Sequence, residues 1–247
     1  LYLVDGSGFI FRAYYGIRAP MSALDGTPTN AVYGFTRLLL NVIRDRSPDH
    51  IAVVFDPSGP SFRIDIYPEY KANRSEPPDD LRPQFDLCRE AVRALGIPAL
   101  EVDRYEADDV IGTLSRRWTA QSEHHHCVIV TADKDMMQLV DDQTTLWDGK
   151  DKLTDREGVV ARFGVPPERV IDVLGLAGDS SDNIPGVPGI GEKTAAKLLG
   201  QHDGLEALLA AAPGIKGKRG QNLVEFAEQA RLSYTLATIE TQAPLEV

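Results

Sequence analysis

Three apolar runs rich in β-branched residues each end in aspartate. Leu1-Tyr2-Leu3-Val4 stops at Asp5, Ile51 to Phe55 stops at Asp56, and Cys127 to Val130 runs through Thr131 and Ala132 to Asp133 and Asp135. Longer amphipathic stretches separate these runs, which is the alternation of an α/β protein with a mostly parallel sheet. In a parallel sheet the carboxyl ends of the strands share one edge, and open α/β folds place their ligands there. The expected fold is therefore α/β, a mostly parallel central sheet flanked by helices, with three acidic strand ends converging.

The stretches between the strands read as helices. Asn30 is the expected cap of a helix over Ala31 to Arg44, because Val32, Phe35, Leu38, Leu39, Val42 and Ile43 recur at helical spacing. A second helix is expected over about Ala107 to Trp118, with Val110, Ile111, Leu114 and Trp118 on its apolar face. The aromatic and basic segment Ser61 to Glu76 breaks at Pro77-Pro78 and resumes as an amphipathic helix over about Leu81 to Leu95. Beyond about residue 165, Gly and Pro crowd Gly175 to Gly204, the texture of a small helical subdomain docked on the sheet. The expected division is 1–165 for the α/β core and 166–247 for the helical part.

Composition narrows the class. Of 247 residues, 43% are hydrophobic and 26% charged, which excludes a disordered or collagen-like chain. No apolar run approaches the roughly 20 residues of a membrane span, and the chain enters a strand without a basic leader, so a cytoplasmic protein with no membrane partner is expected. Cys88 and Cys127 are far apart and in no CxxC pair, so they read as core thiols. His124-His125-His126 reads as a solvated loop, Trp118 and Trp147 as packing residues, and Met136 and Met137 as residues packed beneath the acidic edge. The balance of 37 acidic against 26 basic residues, a net −11, argues against nucleic acid unless the acids are concentrated in one place.

They are concentrated. Glu106, Asp108 and Asp109 open the second helix, and Asp179 and Asp182 in GDSSDN would share a face of one helical turn. Taken singly, each group also reads as a helix cap or a loop-initiating aspartate. Together with Asp5, Asp56, Asp133 and Asp135 they make nine carboxylates that would repel one another without a cation. Hard oxygen ligands with no His or Cys beside them suit Mg²⁺, with Mn²⁺ able to substitute, rather than zinc. Two such ions about 4 Å apart stabilise the attacking and leaving oxygens of a phosphoryl displacement, which points to phosphodiester hydrolysis. Without these nine acids, 28 remain against 26 basic residues.

Basic residues flank the same edge. Arg12 lies among Phe9, Phe11, Tyr14 and Tyr15, while Arg63, Tyr67, Tyr70, Lys71 and Arg74 follow Asp56. Tyr70, Lys71 and Arg74 would share one face if their segment were helical. Cations beside aromatic rings hold phosphate and stack bases, although a solvated basic face is the plainer alternative. The string GVPGIGEKTAAKLLG fails as a P-loop, because Glu192 separates Gly191 from Lys193 and no strand precedes it. It reads instead as a helix-turn-helix element in which Gly189, Gly191, Lys193, Thr194 and Lys197 face phosphate. Lys216, Lys218 and Arg219 add a second basic stretch, so duplex DNA gripped without sequence readout is the expected partner.

In their order along essentially the whole chain, LVDGSG with FRAYY, VVFD, SFR and YPEYKANR, EADDVIGTL, TADKDMMQLV and GDSSDNIPGVPGIGEKTAAKLL closely resemble the bacterial 5′ nucleases, a family of 5′-3′ exonucleases and flap endonucleases found as a polymerase's N-terminal domain or standing alone. The resemblance implies that the nine acids are the metal cluster of a PIN-like 5′ nuclease core. It implies that Arg12, Arg63, Lys71 and Arg74 contact the scissile phosphate and the 5′ strand, with Lys71 and Arg63 stabilising transition-state charge. It further implies a helical arch over about 63–95 and a helix-hairpin-helix type duplex anchor that often holds K⁺. The implied substrate is DNA with a 5′ flap, overhang or nick, acted on by a monomer, with a polymerase domain following in a longer protein. The first residue is not Met, so the start is expected to be trimmed. Two alternatives stay open: a PIN-like RNA-directed nuclease, separated by comparing DNA and RNA flaps, and a non-catalytic DNA-binding module, which would gain nothing from nine carboxylates.

Overall fold

The computed structural model describes residues 1–245; Glu246 and Val247, with which the expected helical part ends, lie outside the described residues. Among the described residues one sheet holds six strands: β1 (Tyr2–Asp5), β2 (Ile51–Val54), β3 (Ala99–Leu100), β4 (Cys127–Val130), β5 (Thr144–Trp147) and β6 (Leu153–Thr154). Their order is β3-β2-β1-β4-β5-β6. The first five are parallel and β6 closes the edge antiparallel to β5. Pairing of Val4 with Val53 and with Val130 puts the ends of β1, β2 and β4 level with one another.

β2 and β4 are apolar throughout, and β1 is apolar up to Asp5, because both faces of the sheet are covered. Side chains alternate across the sheet, so Val4, Val53 and Val130 pack under α1 (Gly6–Gly16) and α2 (Asn30–Arg46). Leu3, Ala52, Val54 and Ile129 point the other way, into a larger cluster that continues through Leu174, Leu208 and Ile239. The helix between β1 and β2 starts at Asn30 itself. Thr29 precedes it without a side-chain cap, and the Asn30 amide instead donates to the carbonyls of Tyr14 and Ile17, tying α1 to α2.

The expected helical arch over 63–95 is not observed as one. Only α3 (Arg63–Ile66) and α4 (Arg82–Ala94) are helical, and α4 buries Gln84, Cys88 and Val92 against the core. The Gln84 amide oxygen accepts from the Ala31 backbone at 2.8 Å, fixing α4 to the start of α2. What crosses the acidic edge is a shorter strap, 67–81, of turns and extended chain. The single helical face expected for Tyr70, Lys71 and Arg74 therefore does not exist.

After β3 come α5 (Ala107–Thr119), then β4, β5 and β6, then α6 (Arg156–Phe163). The remaining helices are α7 (Val170–Ala177), α8 (Glu192–Leu199), α9 (Leu205–Ala211), α10 (Lys218–Glu225) and α11 (Ala227–Ala237). They share the larger cluster with the sheet, so they extend its core and do not form a second one. Cys88 and Cys127 are buried free thiols, and Met136 is fully buried beneath the edge. His125 stacks on Trp118 with ring centroids 4.2 Å apart in the loop before β4, away from the acids. Trp147 is buried, with the Arg46 guanidinium 4.2 Å over its ring. No helix among the described residues is long and apolar enough to cross a membrane.

Candidate metal and nucleic-acid site

Asp5 ends β1 and caps α1. Its carboxylate accepts from the Gly8 backbone at 2.8 Å and from the Thr131 hydroxyl at 3.0 Å, so it is fixed between two strand ends. A Cβ at Gly8 would sit 2.3 Å from the Asp5 carboxylate, which is why glycine stands in that turn. Asp56, one strand over, accepts from the Ala107 backbone at 2.8 Å and so caps α5, the helix that presents Asp108. Beyond β4, the Thr131 hydroxyl holds the Asp133 backbone at 3.0 Å and the Asp133 carboxylate holds the Asp135 backbone at 2.8 Å. This short turn lets two aspartates face the same hollow.

Asp179 and Asp182 do not lie on a helical turn. They sit in a loop closed by paired backbone hydrogen bonds between Asp179 and Ile184, entered through Gly178 at φ +69°. A Cβ at Gly178 would lie 2.4 Å from the Ile184 carbonyl oxygen, so only glycine allows this closure. The strap lies directly on the loop: the Lys71 backbone donates to the Asp182 carbonyl at 2.9 Å, Asn73 to that of Ser180 at 2.7 Å, and Asn183 to that of Glu69 at 2.7 Å.

The protonation of these acids records their crowding. Burial pushes the Asp5 carboxyl up to about 7, with Asp56 and Asp133 adding repulsion. Burial likewise raises Asp135 to about 7, aided by Asp133, Asp179 and Asp182. Asp108 stands well above the usual carboxylate range through burial and then the charges of Asp133, Asp5 and Asp56. Asp133 is raised by loss of solvation in the cleft and by Asp182 and Asp179. Asp179 is the exception: burial pushes it up, but Ser181 and Lys134 pull it below the ordinary value. Asp5, Asp56, Asp108, Asp133, Asp135, Asp179 and Asp182 thus form one connected field of negative charge.

Glu106 and Asp109 are placed differently. Asp109 is fully buried and faces away from the field; both its oxygens accept from Arg63, at 2.7 and 2.8 Å, and from the backbones of Glu106 and Glu240. Arg63 is itself only 3% exposed and also donates to the carbonyls of Leu236 and Thr238 at the end of α11. This corrects two expectations: Asp109 is not free to bind a metal, and Arg63 cannot reach a phosphate. Both serve to pin α3, α5 and α11 together. Tyr70, expected to contact DNA, is also buried, its hydroxyl donating to Glu106 at 2.9 Å and Asp182 at 3.2 Å. Glu106 lies at the margin, joined to Lys71 as well.

Cations ring the field. Lys71 has φ +55°, a left-handed backbone unusual outside glycine, and directs its ammonium to Glu106 and, at 3.6 Å, to Asp182. Arg74 pairs with Asp182. Arg12 donates to the Asp148 carbonyl at 2.6 Å and lines a cavity of about 250 Å³ together with Asp133 and Lys152. Lys134 is a site residue that the sequence pattern does not single out: its ammonium lies 3.0 Å from Asp179 and 3.0 Å from Glu192, which begins α8. Its position between Asp133 and Asp135 in TADKD is the available signal.

Among the described residues no three His, Cys, Asp or Glu side chains form a ready-made coordination sphere. The donor set nevertheless fits a hard divalent ion. It is all carboxylate, it is crowded enough to hold protons near neutrality, and Asp135 Oδ1 is buried without a hydrogen-bond partner.

The glycine turn follows the acid loop within α7 to α8. Gly189 has φ +78°, Gly191 precedes the first turn of α8, and Asn222 of α10 donates to the Pro188 carbonyl at 2.7 Å. Lys193, Lys197, Lys216, Lys218 and Arg219 are exposed and Thr194 is half-buried. The segment from Asp179 to Lys197 therefore carries both the last site acids and two exposed lysines, Lys193 and Lys197.

Residues 1–164 match the N-terminal resolvase-like domain of 5′-3′ exonucleases, and residues 165–247 match the C-terminal SAM fold of the same family. The chain is 48% identical over its full length to 28% of DNA polymerase I from Pseudomonas aeruginosa, and 45% identical to 25% of that from Rhizobium leguminosarum. It thus spans about a quarter of the curated relatives it matches. Its fold is that of the zinc-bound 5′-exonuclease of bacteriophage T5, with a TM-score of 0.80 at 22% identity, covering 98% of this chain and 90% of that one. A T5 flap endonuclease complexed with DNA and metal ions gives a TM-score of 0.79 at 21% identity, covering 97% and 89%. The chain belongs to the 5′-3′ exonuclease family.

Proposed function

We propose that this chain hydrolyses DNA phosphodiester bonds at 5′ flaps and 5′ ends with divalent metal ions, as the 5′ nuclease part of a DNA polymerase I acting in replication and repair. The observation that carries the reading is the field of seven aspartates ringed by Lys71, Arg74 and Lys134: Asp5, Asp56, Asp133 and Asp135 follow β1, β2 and β4, and α5 and the loop after α7 bring Asp108, Asp179 and Asp182 to them. A purely structural role leaves such repulsion without purpose.

Asp5, Asp56, Asp108, Asp133, Asp135, Asp179 and Asp182 would hold Mg²⁺ or Mn²⁺, with Glu106 at the margin. Bound there, the ions supply an activated water and stabilise charge on the attacked and leaving oxygens. Lys71 and Arg74, carried by the strap, place positive charge over the phosphate. Their ion pairs with Glu106 and Asp182 hold them at the rim until a phosphate competes. Arg12 extends that charge toward β4. The Gly189–Gly191 turn and α8 would grip the duplex backbone, with K⁺ held by turn carbonyls, and Lys216, Lys218 and Arg219 extend the grip. The relatives named DNA polymerase I support a polymerase segment following this one, and the chain would act as a monomer in the cytoplasm. DNA and RNA versions of one 5′-labelled flap, incubated with Mg²⁺ or EDTA, test the proposal. Metal-dependent cleavage of the DNA flap is expected, and exclusive cleavage of the RNA flap would transfer the site to an RNA-directed nuclease.

A further inference from the structure

Lys71 and Arg74 reach the acid field from the strap, whereas Lys134 enters it from within, between Asp133 and Asp135. Its half-buried ammonium lies 3.0 Å from Oδ2 of Asp179, 3.0 Å from Oε1 of Glu192 and 3.9 Å from Oδ1 of Asp135. These three acids belong to separate segments: the turn after β4, the loop after α7 and the first turn of α8. One short side chain thus joins two proposed ion ligands to the helix proposed to grip the duplex.

The hydrogen bonds of Asp179 divide its two oxygens. Oδ1 accepts from the Ser181 backbone at 2.7 Å and from the Ser181 hydroxyl, and Oδ2 is held by Lys134. The oxygen that Ser181 leaves free for an ion is the one the ammonium occupies. Asp135 Oδ1 is buried and accepts no hydrogen bond, and the ammonium at 3.9 Å is too far to give one. An ion shared by Asp135 and Asp179 would stand where Lys134 now supplies the positive charge, and the two cations would repel. Glu192 offers the ammonium another resting place. Arg162 of α6 donates to its Oε2 at 2.8 Å, which fixes the carboxylate and leaves Oε1 to Lys134.

Resting on the metal-dependent nuclease reading, we propose that Lys134 is a built-in counter-ion: it neutralises the Asp135 and Asp179 part of the field in the ion-free protein and yields Asp179 to a divalent ion by withdrawing to Glu192. Glu192 is then a positioning residue that acts through Lys134. The lysine stabilises the crowded acids when no ion is bound and, by the same charge, weakens ion binding at this part of the field. Ion loading moves one positive charge toward the start of α8.

The test uses Mn²⁺ as the probe, without DNA, and the variants Lys134→Met, Glu192→Gln and the two combined. Bound Mn²⁺ is counted by electron paramagnetic resonance of the free ion and by calorimetry, and melting is followed in EDTA and in Mn²⁺. Lys134→Met should lower Tm in EDTA by about 2–6 °C. It should bind one Mn²⁺ about tenfold or more tightly than wild type, since a neighbouring charge is gone, so that the deficit in Tm disappears in Mn²⁺. Glu192→Gln should bind that ion more weakly, because Lys134 loses its resting place, and this effect should vanish in the combined variant. Unchanged or weaker Mn²⁺ binding by Lys134→Met, or an undiminished effect of Glu192→Gln in the combined variant, overturns the proposal. Mn²⁺ bound by no variant overturns the metal reading and the proposal together. Wild-type protein that binds Mn²⁺ but cuts no flap overturns the nuclease reading alone, and the binding data still decide the role of Lys134.

Discussion

Replacing Arg63 by methionine separates a structural role from a catalytic one. In the folded protein Arg63 satisfies both oxygens of Asp109, itself 0% exposed, and two carbonyls at the end of α11. Methionine keeps most of the apolar stem and removes every one of those donors. Asp109 then retains only the backbone amides of Glu106 and Glu240. Breaking one side of a buried ion pair costs about 3–5 kcal/mol, because the remaining charge has neither water nor a counter-charge. For a chain of this size each kcal/mol is worth about 2–4 °C, so Tm should fall by roughly 6–20 °C. Lys71→Ala is the contrast, at a partly exposed pair on the strap. It should keep Tm within about 3 °C of wild type while losing about 10²-fold or more in single-turnover rate. Melting followed by circular dichroism, and cleavage of a 5′ flap at about 15 °C where both variants remain folded, check the pair. An Arg63→Met variant that melts with the wild type and loses about 10³-fold in rate would refute the structural assignment.

The raised carboxyls set a pH dependence. Asp5 and Asp135 are raised to about 7 in the folded chain against about 4 unfolded, so between those values the folded state binds more protons. Stability without metal should therefore fall as pH rises from about 5 to about 8, and Mg²⁺ should stabilise more at about pH 8 than at about pH 6; a Tm in EDTA that rises across this range would contradict it. Asp108→Asn removes one charge from the repelling field and should raise Tm in EDTA while abolishing metal-dependent cleavage, read by melting and a gel. Lys193→Glu, at the start of α8, should weaken duplex binding by about tenfold or more and reduce the slope of log affinity against log salt by about one or two, measured by anisotropy.

Much of the edge is legible in the sequence because a parallel sheet converts one-dimensional strand ends into a shared surface. Asp5, Asp56 and Asp133 need only that rule, since β1, β2 and β4 are neighbours in the sheet. Asp109 escapes it because spacing along a helix says which face a residue takes only when the neighbours are known. One position beyond Asp108, it points into protein and meets Arg63 from a distant segment. Tyr70, Lys71 and Arg74 do gather at the site, through turns and a positive φ at Lys71 that no hydrophobic period encodes. The arch is overdrawn by the sequence for a related reason: the amphipathic pattern of α4 marks a buried face, and that face packs on α2 through Gln84 and Cys88. Lys134 is hidden because a lysine between two aspartates looks like charge compensation until Asp179 and Glu192 are seen on either side.

The most direct measurement of whether the acidic edge binds ions that cut DNA is a Mg²⁺ titration of product formation from a 5′-labelled flap, run with wild-type protein and Asp133→Ala. Binding of the same flap is followed in parallel in EDTA. The expected result is metal-dependent cleavage at the flap junction by the wild-type protein, no product from Asp133→Ala, and comparable flap affinity for both. Cleavage by the wild-type protein in EDTA, or full activity of Asp133→Ala in Mg²⁺, would contradict it.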